Sequence, residues 1–232
     1  DQVNDISEKY QARLETEGID SSTCDTLRAV EGLNRFLLQD MGFEGNDDNY
    51  YDVRNSLLNN VLETRKGIPI TLAVLYKLIL ARVGHRVNLI GLPGHVVLGI
   101  PPPYGSCTTT TFVDVFRGGR VLSLEHCQEI VREFGVSWKD EFSRPMSTTE
   151  VLTRMLNNIA KCREMQINQQ REKTASATFA FEKIRALIML TQLHYSPHTF
   201  MILEIWPEQM PCILDPEIFR RHGLIQDDTN LA

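Results

Sequence analysis

His95 heads an apolar run, GLPGHVVLGI (91–100), directly after a Pro-Gly turn. Asp114 lies in TFVDVF (111–116), with Phe112 and Phe116 as its neighbours two residues either side. On a strand these three side chains share one face, so the carboxylate is buried and needs a partner. His95, opening the preceding strand, is the natural candidate. Pairing would fix the imidazole tautomer and turn the other ring nitrogen outward, as a general base requires. The bland alternative is a core histidine bonding a core carboxylate, the ordinary way such groups are satisfied. A pair becomes a catalytic site only with a nucleophile in reach.

A helix beginning at Pro69 is where that nucleophile belongs. A thiol at a helix N-terminus gains from the positive end of the dipole and ionises more readily. Here the helix start reads RKGIPITL (65–72), with no Cys and no Ser. Thr71 is its only hydroxyl and lies two residues inside. Cys107 sits in a loop that reaches His95 from the wrong side, and Cys24 has no evident link to it. Free cysteines are ordinarily small apolar fillers. His194 and His198 have i, i+4 spacing, but Pro197 interrupts them and no HExxH is present. NDDNYYD (46–52) matches a calcium loop only in composition, since its sixth ligand-loop position is Asp52 rather than Gly. The reading is therefore no metal and no cofactor.

A second group of polar residues lies in RNSLLNNVLETRKG (54–67). Asn55, Asn59 and Glu63 fall at i, i+4 and i+8 of a helix expected over 55–65, with Arg54 and Arg65 on its flanks. A solvated face is one reading; binding residues that cap the loop 43–52 or line a cleft are the other. Leu57, Leu58, Val61 and Leu62 are expected to face inward.

These residues need elements to hold them. Val3, Ile6, Tyr10 and Leu14, then Leu27, Val30, Phe36 and Leu37, predict two amphipathic helices over 3–41 separated at Gly18. Pro69 suits a first helical turn, and the helix to about Val83 is apolar nearly all round, which places it centrally. Strand signals follow at 86–92, 95–100, 111–116 and 120–123, with Gly118-Gly119 as a tight hairpin turn. Residues 124–134 read as a short helix, and STTE (147–150) as a capping box before another. Further helices are expected from Ala175 and from Ser196, without an internal repeat. Helices, a small antiparallel sheet, then helices make an α+β fold.

The net charge of −6 over 232 residues, with no Lys/Arg stripe, argues against nucleic-acid contact. No apolar run reaches membrane-spanning length, and no signal peptide is visible. Five scattered cysteines suit a reducing compartment, so a cytoplasmic or nuclear protein is expected. Asp1 is not a start methionine, which reads as a fragment or a processed product.

The joint pattern YYD-x-RNS, RKGIPITL, LPGH and FVDVFRGGRVLS resembles the SirB-type transglutaminase-like proteins of bacteria and the eukaryotic F-box proteins carrying the same domain. The likeness covers roughly residues 30–135. RMLNNI (154–159) also resembles that family's junction to a helical, tetratricopeptide-like tail. The resemblance implies a transglutaminase/cysteine-protease-like core over 1–145, including the N-terminal helices, and a helical region over 146–232. In active members of that superfamily Cys heads the helix, His opens a strand and Asp lies on the next. His95 and Asp114 match the last two positions, and the first falls at about Pro69, which leaves a vestigial dyad with a vacant nucleophile position. Acyl transfer through a thioester is impossible there.

Three functions compete. A catalytically silent domain, a pseudoenzyme, would recognise a protein partner or substrate. By the resemblance it would be the substrate-binding part of an F-box adaptor in ubiquitin conjugation. The alternative is a hydrolase whose His95–Asp114 dyad works without a cysteine nucleophile. The third is a purely structural dyad, for which His95→Ala would cost about 1–3 kcal/mol of stability. The first is favoured, and the sequence does not set the oligomeric state.

Overall fold

The computed structural model describes residues 2–19, 25–102 and 109–169. Helix α1 (Gln2–Thr16) buries Val3, Ile6, Tyr10 and Leu14, the stripe its spacing predicts. Tyr10 Oη crosses to α2 (Thr26–Asn34) and donates to the Ala29 carbonyl at 2.6 Å. Helix α2 does not stop at Asn34. It widens into a π-helical segment, Arg35–Asp40, that carries Phe36 and Leu37 into the core.

The helix expected over 55–65 is shorter and broken. Val53–Ser56 forms a 3₁₀ turn, because the Asp52 carboxylate accepts from the Arg54 N–H at 2.9 Å and starts a turn of its own. Leu57 is extended and 36% exposed rather than inward, and α3 spans only Leu58–Thr64. Asn55 therefore sits on the turn, off the helix that carries Asn59 and Glu63. Arg65 ends α3 in the left-handed region (φ 61°), and its Nη1 donates to the Met41 carbonyl at 2.6 Å. Strands β1 (Glu44–Gly45) and β2 (Lys66–Gly67) then pair in parallel, braced by a 2.8 Å contact between Lys66 Nζ and Glu44 Oε1.

Helix α4 (Pro69–Arg82) starts on its proline and is buried on nearly every side, from Pro69 through Leu80. It packs against α1, α2 and α3, and on its other side against β3 (Asn88–Leu92) and β4 (His95–Ile100). These strands continue into β5 (Thr111–Asp114) and β6 (Arg120–Leu122), an antiparallel meander in chain order. Strand β5 is two residues shorter than its apolar pattern, and a five-residue loop, 115–119, replaces the tight Gly-Gly turn. Both Gly118 and Gly119 take positive φ within that loop.

The opposite face of the sheet holds a smaller cluster that includes Ile90, Leu92, Val97, Phe112 and Leu122. Helix α5 (Leu124–Glu133) closes it with Cys127, Ile130 and Val131. Ser123 and His126 form a capping box at its start. Before α6 (Thr148–Gln169), the Met146 N–H donates to the Leu89 carbonyl at 2.8 Å and Pro145 bridges Ile90, so the chain is stitched to the outer edge of β3. The Ser147–Glu150 capping box is present in both directions.

Residues Asp1–Gln166 form one compact unit, which takes in most of α6. The second unit, Ile167–Ala232, lies outside the described residues apart from the end of α6. With it go the tetratricopeptide-like tail, the helices expected from Ala175 and Ser196, His194 and His198. Cys24 and Cys107 also lie outside the described residues. Among the described residues, no helix is long and apolar enough to cross a membrane.

Candidate functional site

A two-residue Pro93-Gly94 turn joins β3 to β4, since Leu92 pairs directly with His95. Gly94 takes φ +74°, which favours glycine, and a Cβ there would have to displace the exposed Phe134 ring. The turn delivers His95 as the first residue of β4. On the neighbouring strand Leu98 pairs with Val113, and one further step of that register sets Asp114 opposite Val97. His95 and Asp114 are thus diagonal cross-strand neighbours. His95 Nε2 lies 2.9 Å from Asp114 Oδ2, with both side chains buried. The contact is short but off the ring N–H axis, so Nε2 has an ion-pair distance without an aligned hydrogen bond. This geometry leaves Nδ1 for whatever enters from the cleft.

Asp114 is held on its other oxygen as well. The N–H groups of Phe116 and Arg117 both donate to Oδ1 at 3.1 Å. The loop that presents them is clamped by Asn34, whose Nδ2 donates to the Gly119 carbonyl at 3.1 Å. A Cβ on Gly119 would collide with that amide. Burial raises the Asp114 carboxyl, but the imidazole, the Arg117 N–H and the Arg117 charge outweigh it and hold the group below its usual 3.8.

His95 opens onto a cleft of about 450 Å³. One wall is the head of α4: Ile68, Pro69 and Ile70 all line it, and Ile68 as N-cap offers no side chain to the helix start. Thr71 does not line it. Its hydroxyl donates inward to the Asn55 carbonyl at 2.9 Å. Phe116 meets the imidazole edge-on at 6.0 Å, and Tyr50 meets Phe116 in turn at 6.1 Å.

The far wall comes from α6: Arg154, Asn158, Lys161 and Cys162. Arg154 Nη2 donates to the carbonyls of Leu92 (2.8 Å) and His95 (2.9 Å), tying the helix to the turn. Burial pushes its guanidinium pKa down, opposed by Tyr50. Burial raises the Cys162 thiol, and the Asp52 charge adds to this. No hydrogen bond joins Cys162 to His95 among the described residues. Cys127, in the smaller cluster beneath α5, is pushed up to about 11 by burial and Asp114. Neither thiol is poised as a thiolate. No cluster of three or more metal-type ligands occurs among the described residues.

The second group of sequence candidates lies elsewhere. Arg54, Asn55, Asn59, Glu63 and Arg65 are all absent from the cleft lining. Asn55 is buried and pins the loop before it, donating to the carbonyls of Asn49 and Tyr50 and accepting from Asn46 Nδ2. Arg54 is occupied by Asp52, with Nη2 to Oδ2 at 2.6 Å. Asn59 and Glu63 are exposed. Asn55 thus shapes the site from behind, by setting the loop that carries Tyr50 and Tyr51. The residues that sequence reading missed are those of α6. Positions 154, 158, 161 and 162 follow helical spacing, a polar stripe legible in RMLNNIAKC but without anything to show what it faces.

The family model described as the transglutaminase-like superfamily matches residues 1–157. The chain is similar to a UPF0162 protein of Xylella fastidiosa (strain 9a5c), 37% identical over 136 residues that cover 56% of this chain and 47% of that relative. It is similar also to F-box only protein 21 of Mus musculus, 22% identical over 203 residues, 81% of this chain and 30% of the relative. The human protein of that name is 23% identical over the same length. The chain spans about half the length, or less, of these curated relatives. No solved structure gives a significant match. With the buried helix, the turn that bears His95 and the strand that ends in Asp114 all inside the matched stretch, the chain belongs to the transglutaminase-like superfamily.

Proposed function

We propose that this chain is a catalytically silent transglutaminase-like domain that recognises protein, and that it is the substrate-binding part of an F-box ubiquitin-ligase adaptor. One observation carries the reading. Where an acyl-transferring thiol would stand, at the head of α4, the cleft is walled by Pro69 and Ile70. Proline has neither a nucleophilic atom nor an N–H, so a covalent intermediate has no anchor at that place. The likeness to F-box only protein 21 over 81% of the chain supports the adaptor role, and the scattered cysteines support a cytoplasmic or nuclear site.

The test has two arms. The 232-residue chain and its His95→Ala variant are incubated with a panel of peptides, esters and amides. In parallel, capture from cell extract is compared for the wild type, Lys161→Glu in the cleft, and Arg54→Glu outside it. The reading expects no turnover, and partners lost only with Lys161→Glu. Turnover that disappears with His95→Ala would sink it.

That result would favour the second reading, a hydrolase whose His95–Asp114 dyad activates water directly. The observation behind it is the orientation of the imidazole, with Nε2 turned to Asp114 and the ring lining the cleft.

A further inference from the structure

The charge of the cleft runs against that of the molecule. The whole chain carries −6, yet the lining holds Arg117, Arg154 and Lys161 against Asp47, with Asp114 buried behind His95 as the other nearby carboxylate. None of the three cations has a carboxylate within ion-pair distance among the described residues. Lys161 Nζ instead lies 5.4 Å from the Tyr51 ring centre, a weak substitute for an anion. Arg154 is the most telling of the three. It is half-buried and spends one nitrogen, Nη2, on the carbonyls of Leu92 and His95. Guanidinium has five N–H donors, so most of its capacity remains. A partly dehydrated cation with spare donors and no counter-ion is stabilised by any anion that reaches it.

A second, independent feature points to the same place. Helix α4 is fourteen residues long and begins in this cleft, with Ile68 as an N-cap that supplies no side-chain acceptor. Pro69 brings no N–H and the Ile68 N–H donates to the Asn55 carbonyl, so what the helix start adds to the cleft is the positive end of its dipole, with no side-chain carboxylate capping it. Beside these charges and the polar His95 and Asn158, the lining presents an apolar surface that includes Ile70, Val96, Phe116 and Phe134. A ligand that fits carries one negative charge beside an apolar group. A carboxylate meets that description better than a doubly charged phosphate, which would also face Asp47.

We propose that the cleft between the head of α4 and α6 is a binding site for a peptide carboxylate flanked by an apolar residue, held by Arg154, Lys161 and Arg117. This rests on the protein-recognition reading and names the chemistry of the partner. The carboxylate comes from a chain terminus or from an acidic side chain, and the experiment separates the two.

Three fluorophore-labelled hexapeptides are titrated into the 232-residue chain at low salt by anisotropy. The first has a free C-terminus after Phe and no acidic side chain. The second has Glu beside Phe and an amidated C-terminus. The third has Gln beside Phe and an amidated C-terminus. At least one carboxylate peptide is expected to bind tenfold or more tightly than the neutral one, and the preferred peptide identifies the source. Lys161→Glu and Arg117→Glu, both at exposed positions, should each weaken that peptide at least fivefold and leave the neutral one unchanged. Arg154→Gln should abolish the preference. Should that variant misfold, because Arg154 also ties down the turn, the two exposed reversals decide the matter alone. Equal binding of all three peptides, or a preference that survives both charge reversals, overturns the site. Mass spectrometry of the bound peptides separates the two readings. A carboxylate preference accompanied by His95-dependent cleavage upholds the anion site and removes the silent-domain reading. Absence of the preference removes the anion site, whatever the turnover.

Discussion

At the scale of single residues, the site sets the His95–Asp114 contact beside a helix head that brings Pro69 and Ile70 to the cleft. If only the nucleophile is missing, Pro69→Cys should create a reactive thiol. It would sit at an uncapped helix start beside His95, both of which favour the thiolate. Alkylation by iodoacetamide at pH 7 is expected to be at least tenfold faster at position 69 than at the buried Cys162, and to slow sharply in Pro69→Cys/His95→Ala. Equal rates with and without the imidazole would show that the dyad no longer addresses the helix head. Asp114 allows a second test. Its folded-state pKa lies below the ordinary 3.8, so the native state favours the charged form. The stability this supplies is fully present above the ordinary value and is lost as pH falls through the lowered one. The wild type should therefore lose stability more steeply below about pH 4 than Asp114→Asn does, as read by urea midpoints across pH. Parallel curves would mean that the carboxylate is not coupled to folding.

At the scale of elements, a turn and a helix position the imidazole together. The Pro93-Gly94 turn sets where β4 begins, and Arg154 of α6 holds both carbonyls at its ends. Gly94→Ala places a side chain where φ is +74° and where Phe134 already stands. A loss of about 1–3 kcal/mol is expected from the strained backbone together with the clash. Adding Phe134→Ala should recover the part due to the clash and leave the conformational part. A double variant no more stable than Gly94→Ala would show that Phe134 yields freely. The same elements show where local patterns fail. Asp52 captures the Arg54 N–H and diverts the chain into a 3₁₀ turn, so the apolar spacing over 57–62 does not give one long helix.

At the scale of the whole molecule, α4 is the organising element, covered by three helices on one side and two strands on the other. Leu75 at its centre is fully buried. Leu75→Ala should cost about 2–5 kcal/mol, from lost burial plus the cavity left behind. It should lower the denaturation midpoint without changing the slope. A cost under about 1 kcal/mol would mean that α4 is not the centre of the core. Because α4 carries Pro69 and Ile70 at its head, what stabilises the fold also fixes that wall of the cleft.

Much of this was already determined by the sequence. Apolar spacing marked α1, α2 and α4, and Pro69 marked the start of the last. The β-branched runs marked four strands and Asp114 as the partner of His95, although β5 ends at Asp114 and Phe116 packs in the main core, away from Phe112, so the three do not share one strand face. These are local properties of side-chain periodicity and burial, which a chain carries in its order of residues. Only the tertiary structure decided that Asn55 pins a loop rather than lining the cleft. It alone brought Arg154 and Lys161, more than fifty residues beyond His95, to face it. The reason is physical: a polar stripe on a helix announces that it faces something other than core. What it faces depends on how Met146 and Pro145 dock on the edge of β3, a contact between segments that no local pattern encodes.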